Sequence, residues 1–301
     1  MIKSVLYLFL LTGLLGFSQD EIYNVINLKM NNDKPHFGLV VNQNRLVLFV
    51  SYVLNKKGKI AKVKGIAALS LYEGQKEENG EIINVKPLIK DEYIGKITSA
   101  SFSPDGKKLY ITTNYGNRKD KPKGVSSTNY HIEVGEYLEG KGWTNFKVLP
   151  FCKTRYSYAH PSIGLDGKTI YFTANIKGGK ETTKGSSDIF KVEIFEDGTY
   201  SDPKNLGSKI NSYSREMFPF MSSDSILYFA SNRPNGFGGY DIYKSKLKDD
   251  NTFEKAVKLP KPINSNKDDF CFIINYENEG YFTSKRTGGK GDDDIYYFTK
   301  E

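Results

Sequence analysis

The sequence predicts an all-β fold, a closed five-bladed β-propeller of four-stranded blades, and three observations carry that prediction. A turn-and-strand segment recurs along the chain. A second strand signature trails it in three of the copies. The two ends of the chain are complementary fragments of one repeat.

The recurring segment reads FSPDGKKLYIT from Phe102, IGLDGKTIYFT from Ile163, FMSSDSILYFAS from Phe220 and IINYENEGYFTS from Ile273. A degenerate first copy is VVNQNRLVLFVS from Val40. Anchored on Leu48, Tyr110, Tyr171, Tyr228 and Tyr281, the steps are 62, 61, 57 and 53 residues. In each copy a short apolar strand enters a tight turn and a second strand leaves it. Pro presets φ, Asp bonds the local backbone and Gly takes positive φ. Aromatic and β-branched residues then suit a strand.

The third strand is marked by Ser187-Asp188-Ile189-Phe190, Tyr240-Asp241-Ile242-Tyr243 and Asp293-Asp294-Ile295-Tyr296. A fourth follows a polar turn, over 205–211 and 257–264. The last unit stops after its third strand at Glu301, and 22–31 repeats the pattern of 253–264. The N-terminal strand therefore completes the last blade and removes the open sheet edges. The blades fall at about 35–89, 97–151, 156–211, 215–264 and 268–301 plus 20–30. Six blades would require a further unit hidden in 55–93.

These residues resemble the TolB-type, WD40-like propeller repeat of bacterial envelope proteins. The Ser-Pro-Asp-Gly-Lys turn, the Tyr-Phe strand and Gly-Gly-x-Asp-Ile-Tyr over 238–243 carry the resemblance. It implies a binding or scaffolding role in the envelope. Such propellers often accompany an OmpA-type domain or tetratricopeptide repeats, and the chain has room for neither.

Residues 1–18 read as a secretory signal peptide, with a basic start at Lys3, an apolar run from Val5 to Leu15 and small residues before Gln19. The run is too short to favour a transmembrane anchor. The chain is expected to be exported, to the periplasm or in association with the outer membrane. About 283 residues remain as one domain, enough for a sizeable core without disulfides. Cys152 and Cys271 fall in non-adjacent blades and are not expected to pair. The formal net charge of +8 points to an acidic protein or envelope component, or simply to solubility. Export argues against nucleic acid, and the chain is expected to be monomeric.

No Gly-x-Ser-x-Gly, His-Glu-x-x-His or phosphate loop occurs, and no cofactor or metal is expected. Asp292, Asp293 and Asp294 lack the alternating acids of a calcium loop. Arg233 precedes Asp241 by eight residues and Arg286 precedes Asp294 by eight, which reads as a repeated structural pair. His36 and His131 read as packing residues, whereas His160 opens an inner strand and can face the central funnel. The enzyme alternative is a five-bladed glycosidase using acids at inner-strand starts, namely Asp91, Glu92, Glu216, Asp268 and Asp269.

Binding is placed on the face that carries the loops between second and third strands. In blade one that loop holds Lys56, Lys57, Lys59, Lys62 and Lys64; in blade two it holds Arg118, Lys119, Lys121 and Lys123, opposed by Asp120. In blade three it holds Lys177, Lys180 and Lys184, opposed by Glu181. Arg155, Tyr156, Tyr158 and His160 on the following connection are candidate contact residues. Solvated, solubilising loops are the alternative reading.

Overall fold

The computed structural model describes residues 21–63, 65–88, 97–115 and 121–301. Residues 1–18, read as a signal peptide, and Lys64, Asp91, Glu92, Arg118, Lys119 and Asp120 lie outside the described residues. Strand β1 (Tyr23–Asn27) is followed by blade one, built from β2 (His36–Val41), β3 (Leu46–Tyr52), β6 (Leu69–Lys76) and β7 (Ile82–Pro87). The stretch 55–93, where a sixth blade would have to sit, holds a two-stranded hairpin, β4 (Lys62–Val63) and β5 (Ile66–Ala67), together with β6 and β7 of blade one among its described residues. Blade two holds β8 (Ser99–Phe102), β9 (Lys108–Asn114), β10 (Tyr130–Leu138) and β11 (Gly142–Val148). Blade three holds β12 (Tyr158–Ile163), β13 (Thr169–Ala174), β14 (Asp188–Glu193) and β15 (Lys204–Asn205). Blade four holds β16 (Glu216–Met221), β17 (Ile226–Ser231), β18 (Asp241–Lys246) and β19 (Val257–Lys258). Blade five holds β20 (Asp269–Ile274), β21 (Glu279–Ser284) and β22 (Asp294–Lys300), completed by β1.

The result is the five-bladed propeller the repeat predicts, with β1 antiparallel to β22 in the register Tyr23 opposite Lys300 through Asn27 opposite Tyr296. Closure is reinforced by charge. Glu21 binds Lys244 at 2.6 Å and Lys300 at 2.8 Å. Burial alone would raise the Glu21 carboxyl, but hydrogen bonds and charge from both lysines bring it down to about 2.

One turn type joins first and second strands in all five blades. The amides of Arg45, Gly106, Gly167, Ser225 and Asn278 bond back to the carbonyls of Asn42, Ser103, Gly164, Ser222 and Asn275. Each of those five donors has positive φ, between 59 and 68°. This is a type I turn closed by a left-handed residue, which sets up hairpin register. Glycine fills that place twice; the other three blades tolerate a side chain there.

The core is divided into wedges between blades. Leu48, Tyr110, Tyr171, Tyr228 and Tyr281 each enter a different cluster, packing onto the neighbouring blade. Tyr281 is buried and donates its hydroxyl to the Gly80 carbonyl at 2.8 Å, tying blade five to blade one. The repeat anchor is therefore an inter-blade contact.

The outer strands β15 and β19 are short because side chains replace their ladder. Asn211 bonds both the N–H and the C=O of Ile189, at 2.8 and 2.9 Å. Asn264 does the same to Ile242 at 2.7 and 2.9 Å, and Asn31 to Ile295 at 3.1 and 2.7 Å. The segments read from sequence as full fourth strands thus end early in an asparagine clamp.

Candidate functional site

The innermost strands β2, β8, β12, β16 and β20 surround the axis, and their geometry departs from a regular ladder in four blades. Register shifts fall between Phe37 and Val40, Ala159 and Ser162, Met217 and Phe220, and Phe270 and Ile273. At the same place in each of these bulges sits a left-handed residue: Gly38 (φ 67°), His160 (φ 54°), Phe218 (φ 52°) and Cys271 (φ 54°). Left-handed backbone is unfavourable for bulky L-residues, so it persists only where neighbours over-determine it. His160 donates its N–H to Thr112 Oγ1 of the preceding blade at 2.8 Å, and Gly38 donates to Thr283 Oγ1 at 3.3 Å. Strand β8 pairs with β9 without such a shift.

The bulges turn aromatic rings across the axis. His160 stacks on Phe218 at 3.7 Å, Phe218 meets Phe270 at 5.4 Å, and Phe270 meets Phe37 at 6.4 Å. His160 and Phe218 form the floor of a funnel of about 670 Å³ to which all five innermost strands contribute. Its walls are mostly apolar, with Val41, Phe102, Ile163 and Phe220 among them. The mouth lies among the turns between first and second strands, where Leu165 and Tyr276 are 62% and 82% exposed. His160 lies on the funnel as the sequence anticipates, but the funnel opens on the turn face, opposite to the face where the sequence places binding. Burial holds the His160 imidazole down to about 3, so it is neutral at ordinary pH.

The opposite face carries the connections and the basic loops. Lys56, Lys57, Lys59, Lys121, Lys123, Lys177, Lys180 and Lys184 are exposed. Among the described residues none of them pairs with a carboxylate. Glu181, the acid nearest in sequence in blade three, instead accepts the Asn205 N–H at 2.7 Å. Loops two and three meet the connection between their blades. Asn129 donates to Thr154 O at 3.0 Å, and the Tyr156 hydroxyl donates to Lys177 O. Arg155 is exposed and lies over the Tyr156 ring at 4.8 Å. Tyr158 is a correction: at 1% exposed it packs against Phe151 and Phe172 in the core and is no contact residue. Tyr158 is the first residue of β12, and its ring belongs to the core cluster of Phe151 and Phe172.

The arginine pairs are a second correction. Arg233 binds Glu216 at 3.2 Å rather than Asp241, and Arg286 binds Asp269 at 3.0 Å rather than Asp294. Arg286 also donates to Ser284 Oγ, Pro262 O and Ile263 O at 2.8, 2.8 and 2.7 Å. Its guanidinium lies 4.8 Å from both the Phe282 and Tyr296 rings. Asp241 caps its own loop through the Phe237 and Gly238 amides, as Asp294 does through Lys290 and Gly291. Asp188 repeats this cap with Lys184 and Gly185. The arginines are inter-blade braces, since Ile210 and Ile263 close the preceding blades. Ser231 and Ser284 complete the cages by donating to Glu216 and Asp269 at 2.7 and 2.5 Å. The inner-strand acids Glu216 and Asp269 are fully buried there. Asp268 accepts the Tyr240 N–H at 2.9 Å, and Asp292 and Asp293 flank Lys285. Cys152 and Cys271 are separate, buried thiols. His36 meets Phe49 edge-on at 5.6 Å, while His131 binds Glu133 at 2.7 Å. Among the described residues no helix is long and apolar enough to cross a membrane.

No protein-family model matches the chain, and no curated protein matches it. Solved structures match at low identity. A thermostable family-43 glycoside hydrolase is 13% identical with a TM-score of 0.56, over 91% of this chain and 92% of that one. A putative TolB from Agrobacterium tumefaciens is 12% identical with a TM-score of 0.49, over 93% of this chain and 98% of that one. Prolyl oligopeptidase B from Galerina marginata is 14% identical with a TM-score of 0.41, over 88% of this chain. The chain spans about a third of that enzyme's length, 34%. At 13% identity the likeness to the glycoside hydrolase is one of fold alone.

Proposed function

We propose that the protein is an exported, non-catalytic binding propeller that presents its connection face to an acidic protein, or another acidic component, of the cell envelope. The observation that carries this reading is the run of exposed lysines on three consecutive blades, unpaired with carboxylates among the described residues. Like charge concentrated on loops above a rigid scaffold is a recognition feature that folding does not require. Arg155 stacked on Tyr156 adds an amphipathic contact beside Lys177.

The glycosidase reading finds less support. A glycosidase needs two carboxyl groups facing the sugar, about 5 to 9.5 Å apart. Glu216 and Asp269 are engaged by serine and arginine and are closed to solvent.

The test uses immobilised full-length protein against envelope extract, followed by titration of the purified partner. Lys57→Glu with Lys121→Glu is expected to weaken binding about tenfold at low salt, and added salt to weaken the native complex. An affinity that changes with neither the substitutions nor the salt removes the connection face from the reading.

A further inference from the structure

We propose that the funnel on the turn face binds one uncharged, ring-bearing small molecule, whose apolar body rests on His160 and Phe218 and whose single polar group bonds the His160 imidazole. The site lies on the opposite face from the basic loops and does not depend on the partner assigned to them.

Size and closure set the class of occupant. A space of about 670 Å³ suits one small molecule. The stacked rings of His160, Phe218, Phe270 and Phe37 lie across the axis at its inner end, which disfavours a threaded polypeptide.

Polarity narrows the class further. Five polar side chains of the walls are already engaged. Ser101 Oγ accepts the Ile163 N–H at 3.2 Å, and Ser99 Oγ donates to Thr112 Oγ1 at 2.7 Å. Asn42 and Asn275 cap their own turns, and Ser103 bonds Asp105. A sugar, with hydroxyls all around its ring, would leave most of them unpaired on the Val41, Phe102, Ile163 and Phe220 walls, at a cost for each. At the rim Lys76 is bonded to Glu279, and Arg45 lies 3.9 Å from Glu78, so charge there is balanced rather than selective for an ion.

His160 supplies the polar anchor at the floor. Its Nδ1 lies 3.3 Å from Thr173 Oγ1, and no hydrogen bond reaches Nε2 among the described residues. A threonine hydroxyl both donates and accepts, so either tautomer leaves the second ring nitrogen available to a ligand. Leu165 and Tyr276 extend the apolar surface outward from the mouth.

The probe is N-phenyl-1-naphthylamine, a neutral fluorophore with two fused or linked aromatic systems and one N–H. The full chain is expected to bind one equivalent saturably, with a blue-shifted emission and a Kd on the order of 10 µM. Val41→Trp fills the mouth and should abolish binding while the circular-dichroism melting curve is retained. Leu165→Glu, at a 62% exposed position that leaves the core untouched, should weaken binding at least about fivefold. His160→Ala should weaken it about tenfold. Absence of saturable binding by the native chain overturns the proposal. So does binding that Leu165→Glu and Val41→Trp leave unchanged, or displacement of the dye by a neutral oligosaccharide.

Discussion

Replacing Arg286 by methionine tests the brace that holds blade five against blade four. The side chain is 15% exposed and its partner Asp269 is fully buried. Methionine keeps an apolar stem between Phe282 and Tyr296 but loses the bonds to Ser284, Pro262 O, Ile263 O and Asp269. What remains at Asp269 is a buried carboxylate held only by Ser284 Oγ and the Ser265 N–H. Removing one partner of such a pair costs about 3 to 5 kcal/mol. The assay is urea unfolding followed by far-ultraviolet circular dichroism, run as two double-mutant cycles. With Asp269→Asn the combined loss should fall short of the sum by about 1.5 to 3 kcal/mol, since the second change removes the stranded charge. With Asp294→Asn the losses should add to within about 0.5 kcal/mol, because Asp294 caps its own loop instead. A coupling to Asp294 as large as that to Asp269 would refute the assignment, and so would a coupling to Asp269 below about 0.5 kcal/mol.

The asparagine clamps and the two buried histidines give further outcomes. Asn264→Ala strands the N–H of the fully buried Ile242, whose carbonyl keeps the Leu259 N–H, and should cost about 1 to 3 kcal/mol, read as a shift in urea midpoint with faster hydrogen exchange at the Ile242 amide; a loss under about 1 kcal/mol would show that the outer strand holds without it. Burial holds His36 down to about 4 and His160 to about 3, both below the ordinary 6.5. Between those values the unfolded chain binds protons that the folded chain does not, so stability falls as pH drops from 6.5 towards 4, by about 3 kcal/mol for each histidine. His36→Gln with His160→Gln should flatten that limb of a plot of unfolding midpoint against pH, and an unchanged slope would assign acid sensitivity to other groups.

The ring was legible in the sequence because its signals are local. Each hairpin turn is specified by a few residues, so Pro104-Asp105-Gly106 and Asp166-Gly167 mark it even in isolation. The anchor tyrosines repeat because every wedge between blades has the same shape. The arginine partners were not legible for a geometric reason. A separation of eight suggests a hairpin pair, but Arg233 and Arg286 reach back 17 residues, across the second strand to the start of the innermost one. That spacing is as regular as the one that misleads, and Ser231 and Ser284 at its hinge were the available clue. Tyr158 looked like a partner of Tyr156 because both are aromatic, yet Tyr156 lies on the connection with its hydroxyl on Lys177 O, whereas Tyr158 opens β12 and packs into the core. Of the funnel floor only His160 was legible, from its place at the start of an inner strand. Gly38, His160, Phe218 and Cys271 share a backbone conformation and no chemistry, so no pattern of residue types could reveal them.

The placement of strain and of restraint on opposite sides of the same strands has a physical logic. The left-handed residues at the bulges would relax if the innermost strands were free to slide, and two sets of inter-blade bonds oppose sliding. Thr112 and Thr283 fix the bulge amides of His160 and Gly38 from the preceding blade. The arginine cages fix the starts of β16 and β20 just outside the aromatic layer. The wedge cores then hold each blade against the next, and β1 joins the last blade to the start of the chain. Because the ring is closed, displacement of one innermost strand has to disturb both neighbouring wedges. His160 and Phe218 are therefore pre-placed as a rigid floor, while the lysine side chains across the ring are exposed. A ligand in the funnel meets a surface already organised, which lowers the ordering cost of binding. A partner on the opposite face must instead order exposed lysine side chains, and long-range charge is the means by which mobile groups still contribute to encounter.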